Sequence, residues 1–166
     1  MPVPQSSRLA ALATEAGARL LQVRWLVRAP IWLYRARLGI VFGSRLLMLE
    51  HIGRKTGARR YVVLEVIGHP AAGRYVVTSG FGARSQWFRN IEASPHVRVY
   101  VRSRPPAAAT AHRLPSEQAA STLAAYSAHH ARAWAALKPI LETTLGTRIT
   151  DHPADVPLVA LDLTSR

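Results

Sequence analysis

The sequence predicts an α+β fold, mainly β: a small antiparallel barrel of about six strands with helices attached. Three observations predict it. The hydrophobic period changes from helical to alternating near Arg45, the strand-like runs are joined by short Gly- and Pro-containing connections, and regular βαβ units are absent. A chain of 166 residues, 49% of them hydrophobic, suits one structural domain with one core. Within it, residues 1–44 form an N-terminal helical segment, packed on the barrel or at a membrane surface, and residues 45–166 form the barrel domain.

Between Ser7 and Arg28, Leu9, Leu12, Ala13, Ala16, Leu20, Val23 and Val27 recur at helical spacing and make one apolar stripe. Arg8 and Arg19 flank one edge of it, Arg24 and Arg28 the other, so their stems suit a lipid headgroup layer; packing on the domain or on a dimer mate is the competing reading. Pro30 interrupts, and Ile31 to Arg37 reads as a short second helix. Leu46 to Leu49 is a buried strand and Gly53 to Gly57 a turn. Arg60 to Ile67 and Arg74 to Ser79 are strands joined by a Gly68–Gly73 loop.

A helix is expected between Ala83 and Ser94, stopped by Pro95. His96 to Arg102 alternates, with Val97, Val99 and Val101 on one face. Ala108 to Arg113 is a further strand. Ser116 is the expected N-cap of a long helix whose inner face carries Leu123, Tyr126, His130, Trp134 and Leu137. Leu158 to Leu163 is the last strand.

Charge is the conspicuous bias: Lys+Arg 22 against Asp+Glu 9 gives +13. Such a chain seeks anions. Only Lys55 and Lys138 are lysines. With no cysteine there is no disulfide framework, thiolate metal site or cysteine nucleophile. No apolar run reaches the roughly 18–20 residues of a membrane span, and charges interrupt every secretory-signal pattern. The expected location is the cytoplasm, with peripheral contact at the inner face of the membrane through residues 7–28 left open.

Gly53-Arg54-Lys55-Thr56-Gly57, followed by Arg59-Arg60, places four cations and a hydroxyl around a glycine-bounded turn. Exposed backbone N–H groups and cationic side chains suit phosphate or carboxylate; a solvated hairpin turn is the competing reading. It is not a Walker A loop, because Arg54 rather than glycine precedes Lys55. Ser79-Gly80-Phe81-Gly82-Ala83-Arg84-Ser85 lies between a strand and a helix but lacks the last glycine and the downstream acid of a dinucleotide loop. Adjacent His129 and His130 point about 100° apart on a helix and cannot chelate alone. No Gly-x-Ser-x-Gly elbow occurs. Arg98, Tyr100 and Arg102 on one strand face suit single-stranded nucleic acid, yet no nucleic-acid-binding signature accompanies them.

The ordered segments Leu47-Met48-Leu49-Glu50-His51-Ile52-Gly53-Arg54-Lys55-Thr56-Gly57-Ala58-Arg59-Arg60, Tyr75-Val76-Val77-Thr78-Ser79-Gly80-Phe81-Gly82 and Trp87-Phe88-Arg89-Asn90-Ile91-Glu92-Ala93-Ser94-Pro95 resemble the deazaflavin-dependent nitroreductase family of actinobacteria. The resemblance implies a split β-barrel that binds coenzyme F420, a deazaflavin with a phosphate and an oligoglutamate tail. By it, Arg54, Lys55, Thr56 and Arg60 hold the phosphate and tail. Tyr61, Val62, Val63 and Leu64 run beside the deazaflavin, with Ser79, Gly80 and Phe81 in the neighbouring loop. Trp87 and Phe88 pack around the ring, and Asn90 holds the loops. Tyr126 matches a cofactor- or substrate-side tyrosine and is the expected catalytic residue; it, or solvent, returns a proton to the reduced product. Phe81 stands where better-known members carry lysine, and Val63 and Glu65 where they carry proline and tyrosine.

The expected activity is therefore hydride transfer from the reduced coenzyme to a small-molecule acceptor: a quinone, an enone or a nitroaromatic. The alternatives are a split-barrel oxidoreductase that uses FMN, and a basic nucleic-acid-binding barrel. No metal is expected, and a homodimer is left open.

Overall fold

The computed structural model describes residues 31, 35, 36, 39, 43–79, 82–145, 148, 149 and 156–164. The expected helix over 7–28 lies outside the described residues, as does most of 31–37.

Among the described residues from Gly43 onward, six strands and three α-helices follow: β1 (Leu46–Ile52), β2 (Arg59–Ala71), β3 (Arg74–Thr78), α1 (Gln86–Ala93), β4 (His96–Tyr100), β5 (Ala107–Arg113), α2 (Ser116–His129), α3 (Ala131–Leu145) and β6 (Leu158–Leu163). The strands close into a barrel in the order β1-β2-β3-β6-β5-β4, every pairing antiparallel. Closure leaves no strand edge open to a neighbouring chain.

Alternation along each strand divides the apolar residues between two cores. Leu47, Leu49, Leu64, Val77, Val97, Val99, Val159 and Leu161 fill the barrel, and α1 caps it with Trp87, Phe88 and Ile91 in the same cluster. The opposite faces of β2, β3 and β6 present Ile67, Val76, Leu158 and Ala160 to α2 and α3, where Leu123, Tyr126 and Leu141 pack. Strand β6 serves both: Val159 and Leu161 point in, Leu158 and Ala160 out, and all four are fully buried.

Three expectations change. Strand β2 does not stop at Ile67 but runs to Ala71, with its register shifting on either side of Gly68. Bulging lets the Gly- and Pro-containing segment stay paired with β3. Glycine is also needed there sterically, because a Cβ at Gly68 would meet Thr122 Cγ2 of α2 at 3.1 Å.

The expected helix from Ala83 is a short 3-10 turn at Gly82–Arg84 followed by α1. The long C-terminal helix opens at Ser116 after an N-cap at Pro115 and breaks at His130, whose backbone leaves the helical region at φ −130 and ψ 50. His130 N–H still donates to Tyr126 C=O at 2.8 Å and its own carbonyl accepts from Trp134 N–H at 2.9 Å. The ladder therefore bends without stopping, which lets α2 and α3 both follow the curved barrel wall.

Candidate functional site

The turn between β1 and β2 is held by its own backbone. Gly53 N–H donates to Ala58 C=O at 2.8 Å and Gly57 N–H to Gly53 C=O at 2.7 Å. Gly57 sits at φ +65, where a side chain is strained. Arg54, Lys55 and Thr56 are thereby exposed at the tip.

Facing them is the start of α1. The Ser85 hydroxyl accepts from the buried Ser79 hydroxyl at 2.8 Å and donates to Gly82 C=O at 3.1 Å, so it gives α1 no side-chain cap. The first-turn N–H groups and the positive end of the helix dipole are left for something else. Asn90, buried one turn into α1, ties the helix to the turn: its Oδ1 accepts from Arg54 N–H at 3.1 Å and from Arg54 Nη1 at 3.0 Å. Arg54 Nη1 also donates to Gln86 Oε1 at 3.0 Å.

Between the turn, the start of β2 and α1 lies a cavity of about 1020 Å³. Arg54, Lys55, Arg60 and Arg84 supply cations, Thr56, Ser85, Gln86, Asn90 and His51 supply polar atoms, and Tyr61, Val62 and Trp87 supply apolar surface. Among the described residues no carboxylate lines it. Burial first, and then the Arg60 guanidinium, push the His51 imidazole down to about 4, so the ring is neutral near pH 7. The arrangement suits an anion joined to a flat, partly apolar group.

Of the residues singled out from sequence, Arg54, Lys55, Thr56, Arg60, Tyr61, Val62, Trp87 and Asn90 come together here. Leu64 and Phe88 belong to the barrel interior instead. Val63 is half-buried on the opposite face of β2 from Leu64. Ser79 is fully buried, and Gly80 and Phe81 lie outside the described residues.

Arg59 points away from the cavity. Its Nε lies 3.6 Å from Glu50, a buried carboxylate that also accepts from the Tyr100 hydroxyl. Burial and that carboxylate push the Tyr100 phenol up to about 12. Tyr100 is thus engaged with Glu50, not a free stacking surface.

Tyr126 lines a second cleft of about 290 Å³, between β2 and α2, with Ile67, His69, His129 and His130. Its hydroxyl donates to Glu65, which also pairs with Arg45 at 3.4 Å.

Sequence reasoning missed Arg84, Gln86 and His51. Arg84 stood in a loop already singled out, and its strand-to-helix position was the available signal. For His51 the signal was its place in the alternation of β1. Among the described residues no group of three or more His, Cys, Asp or Glu could hold a metal ion, and no helix is long and apolar enough to cross a membrane.

Comparisons with known proteins bear on the family and the fold. A family profile described as F420H(2)-dependent quinone reductase matches residues 26–152. No curated protein matches. Solved structures share the split-barrel fold: a protein of unknown function, Atu2129 of Agrobacterium tumefaciens, is 16% identical, with 83% of this chain and 56% of that chain covered and a TM-score of 0.54. A chain described as a domain-swapped dimer is 19% identical, with 72% and 81% covered and a TM-score of 0.51. An F420-H2 dependent reductase, FDR-A, is 18% identical, with 71% and 94% covered and a TM-score of 0.49.

Proposed function

The chain belongs to the F420H(2)-dependent quinone reductase family, and on that premise we propose that its cation-lined cavity seats coenzyme F420 for reduction of a quinone-type acceptor. One observation carries the assignment of the cavity: four cationic side chains and an uncapped helix N-terminus converge on about 1020 Å³, with no lining carboxylate among the described residues. Such a donor set fits a phosphate with a polycarboxylate tail.

In this reading Arg54, Lys55, Thr56 and Arg60 hold the phosphate and tail, and Arg84 joins them. Tyr61, Val62 and Trp87 provide the surface for the flat ring. The coenzyme, bound in its reduced form, supplies the hydride. The chain supplies position and charge, and keeps water from the ring. Reduction of the acceptor also consumes a proton, which Tyr126 or solvent delivers. Enones and nitroaromatics accept a hydride in the same way and belong to the proposed acceptor class. For a lipid-soluble quinone, the stripe over residues 7–28 is the proposed membrane contact. A homodimer is the proposed assembly, supported by the structural relative described as a domain-swapped dimer.

The test is a fluorescence titration with coenzyme F420 and, in competition, FMN. Saturable binding of the deazaflavin in preference to FMN, weakened by about tenfold or more in Lys55→Ala, is the expected result. Absence of binding, or equal affinity in wild type and variant, would sink the assignment.

A further inference from the structure

His51 is the penultimate residue of β1, 4% exposed, and it lines the cation-rich cavity. Its hydrogen-bonding state can be read from its neighbours. The Asn90 oxygen faces Arg54 N–H at 3.1 Å and Arg54 Nη1 at 3.0 Å, and both of those groups can only donate. A flipped amide would set N–H against N–H at two contacts. Asn90 Nδ2 therefore points at His51 Nδ1, 3.2 Å away, and donates to it. His51 Nδ1 is the bare acceptor, and Nε2 carries the ring proton.

A second proton on Nδ1 would oppose the Asn90 N–H. Burial and Arg60, which is His51's register partner on β2, disfavour that proton and outweigh a backbone hydrogen bond at Ile52 that favours it. The uncharged ring is the form the site requires.

We infer that His51 is a positioning residue of the coenzyme pocket: by accepting from Asn90 it locks the amide whose oxygen holds the Arg54 backbone and guanidinium toward the coenzyme's anionic groups. The role rests on the coenzyme reading above. Arg54 sits on an exposed turn, and a free arginine side chain loses rotamer entropy when it is ordered. Here the ordering is carried by residues that are already fixed: His51 by the barrel sheet and Asn90 by α1. Without the imidazole acceptor, the Asn90 amide keeps its partners on one side only. Its Nδ2 is then a buried donor without that acceptor, and a shift of the side chain toward another one loosens its hold on Arg54.

The two amide side chains separate this role from direct contact through Nε2. Asparagine places its oxygen near the position of Nδ1, whereas glutamine reaches the position of Nε2. His51→Asn is expected to bind coenzyme F420 within about twofold of wild type, and His51→Gln and His51→Leu about tenfold more weakly, in the fluorescence titration. In the steady state the weak variants should raise KM for the reduced coenzyme and leave kcat in place. Long-range proton–nitrogen NMR of free wild-type protein should show the Nε2–H tautomer of His51, and Asn90→Ala should release it to a mixture.

Wild-type affinity in all three variants, retention by His51→Gln with loss in His51→Asn, or an Nδ1–H tautomer would each overturn the positioning role. Wild-type protein that fails to bind the coenzyme overturns instead the reading on which the role rests, and the role with it. The tautomer in the free protein needs no variant to fold.

Discussion

Tyr126 holds its proton more tightly than a free tyrosine. Burial is the larger cause, and its hydrogen bond to Glu65 is the next. With its pKa raised, the group contributes stability that is fully present below the ordinary tyrosine value and is lost as the pH rises through the folded one. The neutral phenol is therefore the form present throughout the physiological range. Tyr126→Phe is expected to leave coenzyme affinity unchanged, because Tyr126 lines the second cleft and not the cation-lined cavity. A fall in kcat of about tenfold or more assigns the proton to the phenol, and an unchanged kcat assigns it to solvent. Titration and steady-state turnover with a soluble quinone check the two halves separately. The residue types of the site were legible in sequence, but their orientations were less so. Trp87 and Phe88 are neighbours in one motif, yet only Trp87 reaches the cavity. Arg59 and Arg60 lie side by side in the chain, yet Arg59 pairs with Glu50 and Arg60 lines the cavity.

The β1–β2 turn is the element on which the cavity's cations depend. An added Cβ at Gly57 meets nothing within 4 Å, so Gly57→Ala strains only the backbone, at φ +65. The expected penalty is about 1 kcal/mol, seen as a fall of a few degrees in Tm, together with a several-fold loss of coenzyme affinity as Lys55 and Thr56 shift. Thermal melting and the fluorescence titration measure both. Elements with strict alternation were the legible ones: β6 matches its expected bounds and β4 its inward valines, because one buried face sets their period. The end of β2 and the break at His130 were not legible. Gly68 reads as a loop residue until Thr122 is seen 3.1 Å from where its Cβ would be, and nothing local marks His130 as the point where a helix must bend around a barrel.

At the scale of the molecule, the +13 charge divides into recognisable parts. Arg54, Lys55, Arg60 and Arg84 face the cavity, while Arg45, Arg59 and Arg74 are paired with Glu65, Glu50 and Asp162. An antiparallel barrel was legible from hairpin spacing, but the strand order was not, because β6 inserts between β3 and β5 and sequence period carries no such long-range information. That insertion governs how the protein folds. The β1–β2 and β2–β3 hairpins can form from neighbouring residues, whereas Arg74 meets Asp162 across 88 residues of chain. Much of the entropy of loop closure falls before the last strand's contacts repay it. Refolding followed by tryptophan fluorescence is expected on a millisecond-to-second scale, and Val159→Ala should slow it less than it speeds unfolding. The seam at β6 then zips late, and until it does, both unpaired neighbours are open to intermolecular pairing. Recovery after denaturation should accordingly fall as protein concentration rises.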